Sequence, residues 1–222
     1  DRRILPALVK IARSDSQDRW IRNSVLSSSA HLADRLFTEL LDLEGFDHAP
    51  LAQQWLAPLA RVVGGRGMPS ELSRLTRVTS THPSLESQPD LQLAIVTSLA
   101  EGLAINGRTF SGLENLPASA NTMIASLLDN SRSAVTDADL SEEERLAALR
   151  LLRHAAFEQV KQPLMALVDP RQPQALQLAA IEALAGYDEP EIASRLLESW
   201  ATHTPKVRNG VLSGILSRLD WT

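Results

Sequence analysis

Five histidines, His31, His48, His82, His154 and His203, are the side chains best suited to hold a metal ion or move a proton near neutral pH. Their spacing argues against a helical metal site. No two stand four residues apart, and none falls in an H-E-x-x-H run. Most lie at predicted turns and helix ends. "GGRGMPSEL" sets Gly64, Gly65 and Gly67 ahead of a helix, which could bring backbone N–H groups to an anion. It follows a helix rather than a strand and lacks the Lys-Ser/Thr of a phosphate loop, so a flexible turn between paired helices is the favoured reading. Ser141-Glu142-Glu143-Glu144 could gather carboxylates on a cation. The same run suits a helix start, where negative side chains offset the helix dipole. No serine sits in a G-x-S-x-G elbow, and no nucleophile–base pair or metal cluster is legible.

Trp20, Trp55, Trp200 and Trp221 are candidate partner anchors. Trp200 falls on an apolar stripe and reads as core, whereas Trp20 and Trp221 sit at helix edges. Arg22, Arg145 and Arg208 recur at one position of a repeating phrase. Such a row could form a basic ladder toward nucleic acid or an acidic peptide. The structural alternative is favoured: each Arg pairs with an Asp of the neighbouring turn, for which Asp18, Asp139 and Asp169 are placed.

Composition narrows the field further. The 222 residues are 44% hydrophobic and 22% charged, enough apolar material for an ordinary core. Aromatics are only 4% while Leu and Ala abound, which favours closely packed helices over a β-sandwich. A net charge of −5 gives no general attraction to phosphate backbones or anionic membranes. The absence of cysteine excludes disulfides, thiolate zinc sites and covalent c-type haem attachment within these residues. No apolar run approaches the roughly 20 residues that span a bilayer. The chain starts at "DRRILPALVKIA" without Met, on a helical pattern, and stops at "SRLDWT"; a fragment of a longer polypeptide is expected.

The elements that must position these residues are helical hairpins. "DPRQPQALQLAAIEALAGYDEPEIASRLLESW" carries Leu176, Ala179, Ala180, Ala183 and Leu184 at three- and four-residue spacings, one stripe of a helix. Gly186 marks its stop, Asp188 and Pro190 the next start, and Ile192, Ala193, Leu196, Leu197 and Trp200 the second stripe. "SEEERLAALRLLRHAAFEQVKQPLMALVDP" repeats the unit, opening on Ser141 and Glu144 in capping-box spacing. "TPKVRNGVLSGIL" starts on Thr204 as cap with Pro205 at the first helical position. Arg145, Gln177 and Arg208 fall at steps of 32 and 31 residues. In the same register Ala147, Ala179 and Gly210 coincide, and Leu149, Ile181 and Leu212 are expected to be buried equivalents. Near the N-terminus "IRNSVLSSSA" matches "VRNGVLSGIL" and pairs with "HLADRLFTELLDL". "LAQQWLAPLARVV" and "SELSRLTRVT" follow, broken by "GGRGMP", then "LQLAIVTSLAEGL". From Gly107 to Asp139 the period is lost, and an irregular repeat or insertion is expected at about 107–139.

A hairpin cannot bury its apolar face alone, and stacking copies does so. The "DP" turn, a first helix with small residues mid-way and an Ile/Leu-rich second helix resemble a HEAT repeat, though the step is shorter than the usual length of about 40 residues. The expected fold class is all-α, a HEAT-like α-α superhelix (a solenoid of antiparallel helix pairs), with residues 1–222 forming a single HEAT-like repeat domain. More specifically, "WIRNSVLSS" after an Asp-rich turn, "LAEGLAINGRTF", "ERLAALRLLRHAAFEQVKQPLMALVDPRQPQALQLAAIEALA" and the closing "WT" resemble the HEAT-repeat region of large planctomycete-type membrane-bound dehydrogenase proteins. There a sugar-dehydrogenase-like β-propeller precedes the region and a haem-binding cytochrome c module follows it. The resemblance implies an extracytoplasmic context and haem c in a neighbouring domain. No functional residue of that family has a counterpart here.

The resulting expectation is a non-catalytic scaffold with protein partners, adjacent domains of the same chain or another protein, and no cofactor, metal, nucleic acid or transmembrane segment of its own. The alternative is a nucleic-acid-binding HEAT-repeat protein of the DNA glycosylase type, which needs a basic groove with aromatic platforms; the acidic balance and single Tyr187 argue against it. A small-molecule enzyme is the third reading. Catalytic, cofactor-binding and metal residues are therefore expected to be none, and the partner-binding residues stay unassigned.

Overall fold

A computed structural model of the chain describes residues 4–217, apart from 16, 44, 45, 47, 48 and 114. His48 and Trp221, together with the closing "WT", lie outside the described residues. Among the described residues the protein is all-helical, with thirteen α-helices and no strand. Its contacts gather into two compact units, residues 1–127 and 128–222. The boundary falls inside the segment where the sequence repeat loses phase.

The first unit contains α1 (Ile4–Ser14), α2 (Arg19–Ser28), α3 (Ala33–Leu41), α4 (Ala49–Arg66), α5 (Pro69–Thr81), α6 (Pro83–Glu86) and α7 (Pro89–Ala104). Asp18 starts α2, its Oδ1 accepting from the Trp20 and Ile21 amides at 2.7 and 3.1 Å. α1 packs on α3 and α3 on α5, while α2 packs on α4 and α4 on α7. Leu36, Phe37, Leu40, Trp55, Leu56, Leu59, Leu99 and Leu103 are fully buried between these rows. Trp55, a partner-anchor candidate, is thus core, with its ring edge-on to Phe46 at 6.2 Å.

One expectation fails here. Gly64 and Gly65 do not form a turn; α4 runs through both to Arg66, and only Gly67, at φ +61°, leaves the helix. The cause is tertiary. α4 crosses α7 so closely that a Cβ on Gly64 would stand 2.3 Å from the Leu99 carbonyl oxygen, and one on Gly102 would stand 2.2 Å from that of Arg61. Glycine is a poor helix former by about 1 kcal/mol relative to alanine, and this backbone-to-backbone contact outweighs that deficit.

α8 (Ala118–Thr136) crosses the boundary between the units. The second unit continues with α9 (Glu142–Leu152), α10 (Phe157–Leu167), α11 (Gln174–Ala185), α12 (Glu191–Glu198) and α13 (Pro205–Leu216). Two of the expected starts are present, whereas α12 begins at Glu191 with Pro190 in the capping position rather than inside the helix and no side-chain bond to that cap. Ser141 and Glu144 close a capping box on α9, and Thr204 Oγ1 accepts from the Val207 amide, with Pro205 opening α13. α11 sits centrally, packed on α9, α10, α12 and α13. Phe157, Val160, Leu164 and Leu167 of α10 are buried, as are Leu176, Ala180 and Leu184 of α11.

The register of the last helix needs correction. Leu149 and Ile181 are 3% and 1% exposed, but Leu212 is 42% exposed; α13 buries Val207, Val211 and Gly214 instead. α9 and α11 each have helical neighbours to cover the large aliphatic position. Among the described residues α13 packs chiefly on α11 and α12, and burying Val207, Val211 and Gly214 leaves Leu212 exposed. Leu197, also expected in a core stripe, is 49% exposed for the same kind of reason: α12 is a two-turn helix with one covered face.

Candidate functional site

The arginines of the repeated phrase do not pair with the turn aspartates. Arg145, 6% exposed, donates from Nε and Nη2 to the Val135 carbonyl at 3.0 and 2.9 Å, and from Nη2 to Gln172 Oε1 at 2.8 Å. Arg208 donates to the Trp200 and Ala201 carbonyls at 2.9 and 2.7 Å, with its guanidinium over the Trp200 ring. The last carbonyls of a helix have no partner within it, and these guanidiniums fill that role for the end of α8 and for the short turn at residues 200–202. Gln177, at the same repeat position, donates to the Gln172 carbonyl at 2.7 Å. Arg22 differs: its Nη1 reaches Gln54 Oε1 at 2.8 Å. The aspartates act locally. Asp18 caps α2, Asp169 receives Arg171, and Asp137 Oδ1 accepts from the Asp139 amide. Arg145 is therefore buried in helix-end contacts rather than displayed in a basic ladder.

The described histidines are dispersed. Arg66 donates to His31 Nδ1 at 2.9 Å while holding Glu71 with two bonds of 2.9 and 3.0 Å. His82 Nε2 lies 3.2 Å from Asp42 Oδ1. Arg74 pairs with the buried Asp34. Among the described residues no three His, Asp or Glu side chains are placed to hold one metal ion. Of the acidic run at 142–144, Glu144 closes the capping box, in which Ser141 also holds its carboxyl below the ordinary pKa.

Sequence reasoning missed one pair. His203, 3% exposed, has Nε2 2.8 Å from Ser199 Oγ, and its Nδ1 is buried without a hydrogen-bond partner. Burial first, and then Arg208, lower the imidazole pKa, with Asp169 partly opposing them. Ser199 also lines a groove of about 540 Å³ between α10 and α12, together with Lys161, Asp169 and Arg195. A hydroxyl on an imidazole is half of an acyl-transfer site. The other half is a set of donors where an oxyanion would form. Ser199 ends α12, where carbonyls rather than N–H groups point outward, and Arg208 is engaged by two carbonyls. The pair instead ties the turn at residues 200–202 across four residues. A Ser-x-x-x-His spacing just past an apolar stripe is the signal that would have found it.

Polar side chains elsewhere join one hairpin to the next. Tyr187 donates from its hydroxyl to the Leu152 and Ala155 carbonyls, both at 3.1 Å, and burial pushes its pKa up to about 12. Gln174 Nε2 reaches Thr204 Oγ1 at 2.8 Å, Arg153 pairs with Glu182 at 3.3 Å, and Lys161 pairs with Glu191.

His154 gives this unit a pH dependence. It is half-buried, its Nε2 has no partner, and burial, aided by Arg153, lowers its pKa from 6.5 to about 4. Above 6.5 both folded and unfolded forms are neutral. Below it the unfolded chain takes up a proton that the folded chain resists, so stability falls as pH drops from 6.5 to about 4. The loss should be on the order of 2 kcal/mol, with His203 adding in the same direction. Urea midpoints across that window should slope downward in the wild type and more gently in His154→Gln.

The fold and these contacts define an all-helical protein whose polar side chains close helix ends and link neighbouring helices. No family model, curated protein or solved structure matches the chain. No helix among the described residues is long and apolar enough to cross a membrane.

Proposed function

We infer that the chain is a HEAT-like solenoid of antiparallel helix pairs acting as a non-catalytic scaffold, which spaces and docks domains of a larger protein. One observation carries this reading: the sequence separation of its long-range polar contacts. In the first unit, Arg22–Gln54, His31–Arg66, Asp34–Arg74, Asp42–His82 and Gly65–Asn106 span 32, 35, 40, 40 and 41 residues. In the second, Arg145–Gln172, Gln174–Thr204 and Leu152–Tyr187 span 27, 30 and 35. A row of hairpins in which each touches only its neighbours restricts contacts to about one repeat length. A globular bundle has no such restriction. The redox setting, with a dehydrogenase propeller and haem c in neighbouring domains, rests on the family resemblance alone.

Excision of Gln174–Thr204 tests the architecture. It removes one step of the repeat and brings α13 to the place of α11, with Arg208 at the position of Gln177. The shortened chain should keep its helicity per residue by circular dichroism and unfold cooperatively at lower urea. Collapse to an unfolded chain would count against stacked hairpins. A DNA titration at low and high salt addresses the rival function: tight, salt-sensitive binding would replace the scaffold with a nucleic-acid reader.

A further inference from the structure

Asn106-Gly107 and Asn209-Gly210 are the two Asn-Gly pairs of the chain. Such a pair can react with itself. The glycine nitrogen attacks the asparagine Cγ, and the missing glycine side chain leaves the approach open and the backbone free to bend. The fold treats the two pairs differently. Asn209 and Gly210 lie inside α13, where a Cβ on Gly210 would stand 2.8 Å from Leu178 Cδ2 of α11. Asn106 and Gly107 lie just beyond α7, and both are exposed. A Cβ on Gly107 would find nothing within 4 Å.

The turn at Gly107 closes α7. The Gly107 amide donates to the Ala104 carbonyl at 3.0 Å and the Arg108 amide to the Leu103 carbonyl at 3.1 Å, with Gly107 at φ +65°. This is the Schellman arrangement of a helix end. Two side chains tie it to the end of α4. Asn106 Nδ2 donates to the Gly65 carbonyl at 2.5 Å, and Arg108 Nη1 donates to the Gly67 carbonyl at 2.7 Å. Helix ends open at little cost in free energy, whereas a helix interior packed on a neighbour opens only with the unit around it. Fraying of one turn therefore frees the Gly107 nitrogen, while the Gly210 nitrogen is freed only when α13 unfolds.

We propose that Asn106 is a site of spontaneous deamidation, and that its conversion loosens the end of α7 from the end of α4. The Gly107 nitrogen bonds to Asn106 Cγ as the Cγ–Nδ2 bond breaks, and ammonia leaves with the proton that Gly107 gives up. Water then opens the resulting cyclic imide at either carbonyl, leaving aspartate or isoaspartate. One water is consumed and one ammonia released, with no oxidation or reduction. In the aspartate form a carboxylate oxygen replaces the Nδ2 donor opposite the Gly65 carbonyl, so acceptor faces acceptor. The new negative charge also falls at the C-terminal ends of α4 and α7, where the helix dipoles oppose it. In the isoaspartate form the main chain gains a methylene before Gly107, which breaks the spacing of the Schellman bonds and shifts Arg108 away from Gly67.

Incubation of the 222-residue chain in mildly alkaline oxygen-18 water, followed by peptide mass spectrometry, tests it. Tryptic peptides ending at Arg108 and beginning at Asn209 carry the two sites separately. In the folded protein Asn106 should exchange its side-chain nitrogen for labelled oxygen at least about tenfold faster than Asn209. In denaturing urea the two should react at comparable rates, because only the fold distinguishes them. The urea midpoint of the aged wild type should fall as conversion proceeds, toward that of Asn106→Asp. Asn106→Gln, whose longer side chain closes the ring far more slowly, should hold its own starting midpoint. An Asn106 that stays intact in the folded chain while reacting in urea, equal rates at the two sites in the folded chain, a midpoint that does not move with conversion, or an equal decline in Asn106→Gln would overturn the proposal.

Discussion

Gly102→Ala should lower the stability of the unit holding α4 and α7 by on the order of 3 kcal/mol or more. The added Cβ would stand 2.2 Å from the Arg61 carbonyl oxygen and 2.8 Å from the Gly65 nitrogen. Both are backbone atoms of α4, so no rotamer change relieves the clash. The helices must move apart, and doing so loosens Leu56, Leu59 and Val63 from Ile95, Leu99 and Leu103, all fully buried around the crossing. Gly64→Ala meets the reciprocal obstacle, the Leu99 carbonyl oxygen at 2.3 Å. Gly65 is the internal control. It lies in the same helix, yet its Cβ would find nothing nearer than 3.8 Å. Gly65→Ala should therefore be neutral or stabilising by up to about 1 kcal/mol, through helix propensity alone. Urea unfolding followed by far-ultraviolet circular dichroism separates the three. Equal midpoints for Gly102→Ala and Gly65→Ala would mean that α4 and α7 do not cross as described.

That crossing shows where sequence reasoning reaches its limit. The starts of α9 and α13 were legible because their chemistry is local: Ser141 with Glu144 and Thr204 with Pro205 act within four residues. The stripes of α10 and α11 were legible because burial follows the 3.6-residue period. Gly64-Gly65 carries the local signature of a turn, and only the distant Gly102 makes it a helix interior. The arginines illustrate the same limit. Their recurrence pointed to a shared structural role, but Arg145 and Arg208 bond carbonyls at helix ends, which no side-chain pattern encodes, and Arg22 bonds Gln54 instead. Ser199 and His203 escaped notice because their approach depends on the short turn between α12 and α13. The candidate site thus remained hidden for the reason the fold was visible: periodicity reports which face is inward, not what the polar atoms on that face will meet.

Leu212 tests how far repeat phase carries into packing. Ile181→Ala should cost on the order of 3 kcal/mol, since Ile181 is 1% exposed and packs on α13 near Gly214. Leu149→Ala should be comparable in kind, at 3% exposure. Leu212→Ala, at the same place in the repeat but 42% exposed, should cost less than about 1 kcal/mol. Chemical-denaturation midpoints give the ranking. If Leu212→Ala cost as much as Ile181→Ala, the residue would be packed inside the folded chain, and α13 would need to turn by roughly half a rotation from its present face. The same phase is core where a neighbouring helix lies against it and exposed where none of the described helices does; in the stacked-hairpin arrangement proposed above, stability should therefore track position along the row rather than repeat register alone.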